Sequence, residues 1–307
     1  MADTERTYLH FGGHMYYTGF ADEAASDLDG QIKATKELGW KNIETRKLFD
    51  GNLASITDAQ FAEVCEKLKK SGVAFNCYGS GVANWSKPIT ESPESSYDEM
   101  KKAVPRMQKL GIKMIRMMSF AVPKELRQQD FSAEVIKRLK VIVKMAEDGG
   151  ILCVHENCMN WAGMSYEHTL KMMEGIKSPN FKLVFDTGNP VFSDDVRGKP
   201  PYKLQSAWKF YDAVKEHVAY IHIKDGTMGA DGKAIYSFPG EGVGDVRKIL
   251  KDMFKRGYDG GISIEPHMVA IYHDQGPTKE ELMFSNYVEY GRRIMKMVDE
   301  IKAELKK

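Results

Sequence analysis

The chain has 307 residues, enough for two average domains or for one large α/β barrel, so length leaves the architecture open. Its 42% hydrophobic and 28% charged residues fit a globular protein with a sizeable core and exclude a largely disordered chain. With 44 basic against 43 acidic residues the net charge is +1, which excludes a global field for gripping a phosphate backbone, and no nucleic-acid partner is expected. The opening "MADTERTYLH" lacks the basic and apolar regions of a signal peptide, and no apolar run approaches a membrane span. A cytoplasmic protein without a membrane partner is the expectation. Cys65, Cys77, Cys153 and Cys158 form no CxxC pair and read as free thiols. Cys153 and Cys158 flank Glu156, but buried packing is the reading preferred over ligation.

Taken in chain order, strand-like runs fall at Tyr16 to Phe20, Asn42 to Arg46, Ala74 to Tyr78, Met114 to Met118, Ile151 to Glu156, Lys182 to Asp186, Ala219 to Lys224 and Gly261 to Glu265. The first is ambiguous, because "TYLHFGG" also qualifies as an opening strand or part of a preliminary hairpin. Amphipathic helical stretches such as "LDGQIKATKELGW", "DAQFAEVCEKLKKSG", "AEVIKRLKVIVKMAEDGG" and "DVRKILKDMFKRG" lie between the strands. Gly39, Gly72, Gly111, Gly149 and Gly257 stand where helices end. Eight such units without a Pro/Gly/Ser-rich linker predict a single (β/α)₈ barrel domain over residues 1–307. A doubly wound open sheet is the alternative, but it uses fewer strands and a glycine-rich first turn, unlike "GFADEA" here. Two long connections, "GSGVANWSKPITESPESSYD" after strand three and "GTMGADGKAIYSFPGEGVGD" after strand seven, belong to the C-terminal mouth, where such barrels keep their sites.

Four successive strands finish on chemistry-bearing residues: "LCVHEN", "FDTGN", "AYIHIKD" and "GISIEPH". Side chains alternate along a strand, so Leu152, Val154 and Glu156 share the inward face, as do Val184 and Asp186, Tyr220 and His222, and Ser263 and Glu265. Glu156, Asp186, His222 and Glu265 therefore converge on one side of the mouth. Taken singly, a strand-end Asp is more often a helix cap and a His a packed side chain. Together, three carboxylates and an imidazole call for positive charge among them. A divalent metal meets that need, with Mn²⁺ favoured on the oxygen-rich donor set and Mg²⁺, Co²⁺ or Zn²⁺ as alternatives.

At these residues the chain resembles the xylose isomerase-like TIM-barrel superfamily, which includes ketose 3-epimerases, hydroxypyruvate isomerase and endonuclease IV. "GGISIEPH" is similar to the last strand of the ketose 3-epimerases, "AYIHIKDG" to their metal-histidine strand and "FPGEGVGD" to the Pro-Gly-x-Gly loop after it. "FDTGN" is similar to the aspartate strand and "VHEN" to the first metal-glutamate strand. The resemblance implies that Glu156, Asp186, His222 and Glu265 are metal ligands and that both glutamates move protons. Departures are Asn189 where many members carry His, Asp225 in place of a glutamate, and the lack of an arginine in "DGTMGADGK".

The expected activity is a divalent-metal-dependent sugar isomerase or epimerase acting on a ketose through an enediolate. A lyase eliminating the aglycone of a 3-oxo-glycoside starts from the same proton abstraction and is the alternative. A nuclease, which needs a histidine-rich trinuclear zinc site, and a non-catalytic sugar-binding barrel are the remaining readings. Glu44, Arg46, Arg116, Asn189, Lys224, His267 and Trp161 are candidates for binding the carbohydrate substrate, with interior ion pairing or rim packing as the competing reading. Trp85 is a further candidate for stacking on a sugar, and His155, pointing away from the lumen at the rim, for proton transfer. The closing "NYVEYGRRIMKMVDEIKAELKK" reads as the final barrel helix. Family analogy adds an expected homo-oligomer, dimer or tetramer.

Overall fold

A computed structural model describes residues 14–268 and 279–306. Eight parallel strands alternate with eight α-helices. The barrel strands are β1 (Tyr16–Gly19), β2 (Asn42–Thr45), β3 (Ala74–Gly79), β4 (Met114–Met117), β5 (Leu152–Glu156), β6 (Phe181–Asp186), β7 (Val218–Ile223) and β10 (Gly261–Ile264). Each lies within one residue of the segment that hydrophobic patterning assigns. The alternative opening stretch at residues 7–13 lies outside the described residues.

Hydrogen-bonded neighbours run β1-β10-β7-β6-β5-β4-β3-β2, every pair parallel, so the sheet curls until β1 and β2 come into contact. This is the (β/α)₈ barrel, closed at the last seam by packing. Its outer ring is α1 (Leu28–Glu37), α2 (Asp58–Ser71), α3 (Glu94–Leu110), α4 (Ser132–Asp148), α5 (Tyr166–Ile176), α6 (Ala207–Val214), α7 (Val246–Lys255) and α8 (Lys279–Leu305).

Local chemistry sets the helix ends. Asp27, Thr57, Ser165 and Ser206 each accept a backbone N–H in the first turn of α1, α2, α5 and α6, and Thr57 with Gln60 forms a reciprocal capping box. Gly39, Gly72, Gly111 and Gly257 take the positive φ that stops a helix. The expectation fails at Gly149, which stays helical in φ while Gly150 turns left-handed, so α4 runs one residue further before it ends.

Apolar burial divides in two. One cluster fills the space between strands and helices, and a second, Cys77, Met114, Leu152, Val154, Val184 and Tyr220, fills the lumen. Leu152, Val154, Val184 and Tyr220 are the residues that alternation assigns to the inside. Above this plug the next inward side chains are polar, so the floor of the mouth is the top of a solid core.

The long connection after β7 is not an open loop. It folds into an antiparallel hairpin, β8 (Asp225–Met228) with β9 (Ala234–Ser237), followed by the glycine-rich turn before α7.

Candidate active site at the barrel mouth

Strand register brings the four endings together. Asp186 pairs with His222 across β6 and β7, Ser263 with His222 across β10 and β7, and Glu156 with Val184 across β5 and β6. One donor atom each from Glu156, Asp186, His222 and Glu265 lies within 4.8 Å of the others, and all four side chains are buried.

The surroundings aim these groups. Glu44, one layer below, accepts from Tyr220 Oη at 2.8 Å and Ser263 Oγ at 2.7 Å, and its Oε2 lies 3.0 Å from His222 Nε2. With Nε2–H spent on Glu44, the free lone pair of His222 is at Nδ1, which lies 3.9 Å from both Glu156 and Glu265. This is the carboxylate–imidazole arrangement that orients a metal-binding histidine. Burial opposes charging His222, but Glu44 outweighs it and lifts the ring to about 9, so without an ion Nδ1 also carries a proton, which a bound cation would displace to use the lone pair. Asp186 Oδ1 accepts from the backbone of Gly188 at 2.9 Å and Asn189 at 2.6 Å, leaving Oδ2 toward the cluster. Burial, against the pull of Lys224, pushes Asp186 up to about 7. Asn189 Nδ2 donates to Glu156 Oε1 at 2.8 Å, so the amide that replaces a histidine here holds a carboxylate in place.

Positive charge is also present in the chain itself. Lys224 Nζ lies 3.1 Å from Asp186 Oδ2 and 3.0 Å from Glu265 Oε2. Arg116 Nε lies 3.0 Å from Glu156 Oε2, and Arg46 reaches Glu265, Glu23 and Asp22, each at 3.0 Å. The three carboxyl groups at the mouth, with Glu44 one layer below and Glu23 and Asp22 beside Arg46, therefore face three permanent cations, Lys224, Arg116 and Arg46, and two imidazoles, His222 and His267. Although burial opposes it, Lys224, His267 and Arg46 hold Glu265 well below the usual carboxylate range.

The donor set fits a divalent ion. Glu156 Oε2, Asp186 Oδ2 and His222 Nδ1 are buried and carry no hydrogen bond, three of the four groups that sequence alternation points at one spot. Buried polar atoms rarely go unsatisfied; His222 Nδ1 has no hydrogen-bond partner, and Glu156 Oε2 and Asp186 Oδ2 are met only by the Arg116 and Lys224 cations, so a cation centred on these donors fits the set. Oxygen donors with one nitrogen suit Mg²⁺ or Mn²⁺ and accommodate Zn²⁺.

A cleft of about 540 Å³ opens over the cluster. Arg46, Arg116, Asn189, Lys224 and His267 line it, together with Glu156 and Glu265. Trp85, 59% exposed, stands on its wall. Three expected residues are elsewhere. Glu44 is fully buried beneath the cluster, where its contacts are with His222, Tyr220 and Ser263. Trp161 is 1% exposed, with its ring edge against His168 at 5.2 Å and its backbone N–H donating to Phe120 O at 2.8 Å. His155 faces the helix layer, 6.3 Å from the Phe181 ring, and burial lowers it to about 3, so it stays neutral away from the cleft. Of the flanking thiols, Cys153 is core and Cys158 lines the cleft wall.

Sequence reasoning passed over several residues. Glu23 accepts from the backbone N–H of His267 at 2.7 Å and from its Nδ1 at 2.9 Å, fixing a residue whose φ of 51° is strained. The signal was available in "GFADEA", where two carboxylates follow the end of β1. Tyr236 arrives from the unforeseen hairpin and stacks edge-on against His267 at 5.2 Å and Phe192 at 5.1 Å. Asp225, expected beside the histidine strand as an acidic partner, instead gathers the loop that follows. It accepts backbone N–H groups from Gly226, Gly240, Gly242 and Gly244 at 2.8–3.2 Å. A Cβ on Gly242 would fall 2.3 Å from Asp225 Oδ1, which is why "PGEGVGD" is glycine-rich there.

Comparison with known proteins agrees with this geometry. The family model described as xylose isomerase-like TIM barrel matches residues 32–287. No curated protein matches the chain significantly by sequence. A xylose isomerase-like TIM barrel protein from Mycobacterium smegmatis, in complex with magnesium, superposes at a TM-score of 0.65 with 15% identity, over 93% of this chain and 97% of that one. A D-tagatose 3-epimerase-like protein gives 0.67 and 15%, over 95% and 100%. D-allulose 3-epimerase from a Methylomonas species, in complex with D-allulose, gives 0.60 and 16%, over 92% and 98%. At such identities the structural likeness concerns the fold alone, while the family match spans most of the sequence. The chain belongs to the xylose isomerase-like TIM-barrel family.

Proposed function

We propose that this barrel is a divalent-metal-dependent isomerase or epimerase of a keto-sugar. The observation that carries the reading is the convergence of buried donor atoms from Glu156, Asp186, His222 and Glu265 within 4.8 Å of one another below a polar cleft, with His222 Nδ1 left without a hydrogen-bond partner. Those four residues would hold the ion, with Mn²⁺ or Mg²⁺ best suited. When bound, the ion supplies stabilisation of negative charge on a substrate oxygen and so acidifies the adjoining C–H.

The chain's own groups do the rest. Glu265, kept ionised, takes the proton from the carbon, and Lys224 beside it offers a hydrogen bond to substrate oxygen. Glu156, pinned by Asn189 and Arg116, faces the cluster from β5 and returns a proton from its own direction. Return to the same carbon from the other face inverts it, whereas return to the neighbouring carbon interconverts aldose and ketose. Asn189, Arg116 and His267 are placed to orient hydroxyls, and Trp85 to cover a sugar ring. Elimination of a leaving group from a 3-oxo-glycoside begins with the same proton and is a second reading. One observation favours it: the cleft is larger than a single sugar needs.

Two measurements test the proposal. Elemental analysis after stripping and reloading with Mn²⁺ should find about one tightly held ion per chain, weakened in Glu265→Gln. Incubation of ketoses in D₂O with the loaded protein should introduce deuterium at the carbon next to the carbonyl. An absence of both bound metal and exchange would overturn the reading, and about three zinc ions per chain would point to a nuclease.

A further inference from the structure

The 540 Å³ cleft does not end at the sugar site. A hexose occupies roughly the volume of six waters, about 180 Å³ at about 30 Å³ each. Beside the cleft lies a second chamber of about 190 Å³ that shares Met159, Phe192 and Ser193 with it, so the two spaces adjoin across these three residues. The shared wall is fixed on one side, because Phe192 packs edge-on against Tyr236. On the other side Met159 is 66% exposed at the junction of the two spaces.

The chemistry of the two spaces differs. Cations, carboxylates and amides face the cleft, whereas Val122, Met159, Met164, Phe192 and Val196 make the chamber largely apolar. Lys124 and the Arg127–Asp194 ion pair, at 2.7 Å, stand with them in its lining. An apolar space of about 150 Å³ is enough for one benzene ring. A free monosaccharide has no part that would gain from entering it.

We propose that this chamber is a subsite for the apolar substituent of a glycoside, one aromatic ring or a short alkyl group, while the sugar sits over Glu156 and Glu265. The assignment rests on the cleft being a sugar site. It narrows the substrate class from free ketoses to oxo-sugars that carry an aglycone, the 3-oxo-glycosides of the second reading, for which simple glycosides serve as non-reacting binding probes. Met159, at the junction, contacts both halves, and its flexible thioether suits substituents of different shape.

The test is calorimetric titration of the full-length, Mn²⁺-loaded protein with matched methyl and phenyl pairs of β-glucosides and β-galactosides. The parent should bind the phenyl member of at least one pair about tenfold more tightly, the scale expected from burying one ring. Val122 is half-buried at the edge of the core and lines the chamber but not the cleft, so Val122→Trp, which fills the space, and Val122→Asp, which charges it, should each remove the preference. Both should leave methyl-glycoside binding and the melting temperature near the parent's. A preference absent from every pair, or surviving both substitutions, overturns the proposal. Ketose exchange in D₂O separates this failure from that of the catalytic reading. Exchange without a phenyl preference leaves the enzyme and removes the subsite, and a phenyl preference without exchange does the reverse.

Discussion

Replacing Glu44 by Gln tests how the layer below the site controls the layer that does chemistry. Glu44 is fully buried and receives Tyr220, Ser263 and His222 on its two oxygens. Burial raises the cost of its charge, but His222 and the donated hydrogen bonds hold it below the usual carboxylate range. Glutamine has nearly the same shape, yet one of its two acceptors becomes an NH₂. With its oxygen at the Oε2 position Tyr220 and Ser263 keep their acceptor, but the NH₂ at the Oε1 position is set against His222 Nε2, 3.2 Å away, and one buried donor loses its partner at a cost of about 1–3 kcal/mol. Chemical denaturation of the metal-free protein should show that loss in the midpoint without a change in slope. A second effect follows at the histidine. An amide NH₂ facing Nε2 favours the tautomer with its proton on Nδ1, the atom that must stay bare to bind an ion. Loss of such an orienting partner lowers metal affinity about 10–100-fold. Competition against a chelator measures it. Unchanged Mn²⁺ retention in a folded Glu44→Gln protein would refute the claim that Glu44 sets the tautomer of His222.

Lys224→Met removes the cation between Asp186 and Glu265. Breaking this buried pairing should cost the metal-free protein about 3–5 kcal/mol, and added Mn²⁺ should raise its melting temperature by more than it raises the parent's. An equal rise in both would mean that the ion and the ammonium do not share those carboxylates. Asp225→Ala strips the acceptor from four backbone N–H groups. Limited proteolysis should then cut within residues 226–244, and Gly242→Ala should reproduce the effect through its 2.3 Å clash; resistance of both variants would show that the turn is held by other contacts. His168 is lowered by burial and by Lys171 nearby. As pH falls below about 6.5 the unfolded chain takes up a proton that the folded ring declines, so stability should drop on the acid side. In His168→Gln, the loss between about pH 7.5 and about pH 5.5 should be smaller than in the parent, as measured by urea denaturation; equal losses would place the acid sensitivity at other groups.

Much of this architecture is legible in the chain because it depends on local periodicity. Runs such as Leu152–Glu156 and Phe181–Asp186 announce strands, and the alternation inside them already separates Val154 and Val184, which fill the lumen, from Cys153 and Phe185, which face the helices. The same period of two places Glu156, Asp186 and His222 on the inner face at the mouth. Pattern is silent where geometry depends on segments distant in sequence. Trp161 looks like a rim aromatic but is buried against His168, and Asp225, which reads as the acidic partner of the histidine strand, is claimed by four glycine amides.

The sequence by itself determined the eightfold alternation, the barrel and the four convergent side chains, because each rests on strand period and chain order. Only the tertiary structure decided how those side chains are used. Glu44 from β2 sets the ring of His222 on β7, and Glu23 after β1 fixes His267 beyond β10. Lys224 and Arg46 divide the carboxylates between them, and a hairpin brings Tyr236 onto the rim. These choices are made by distances between groups up to 244 residues apart in the chain. Electrostatic and hydrogen-bond energies depend on separations of a few tenths of an ångström, and closure of the barrel alone fixes these.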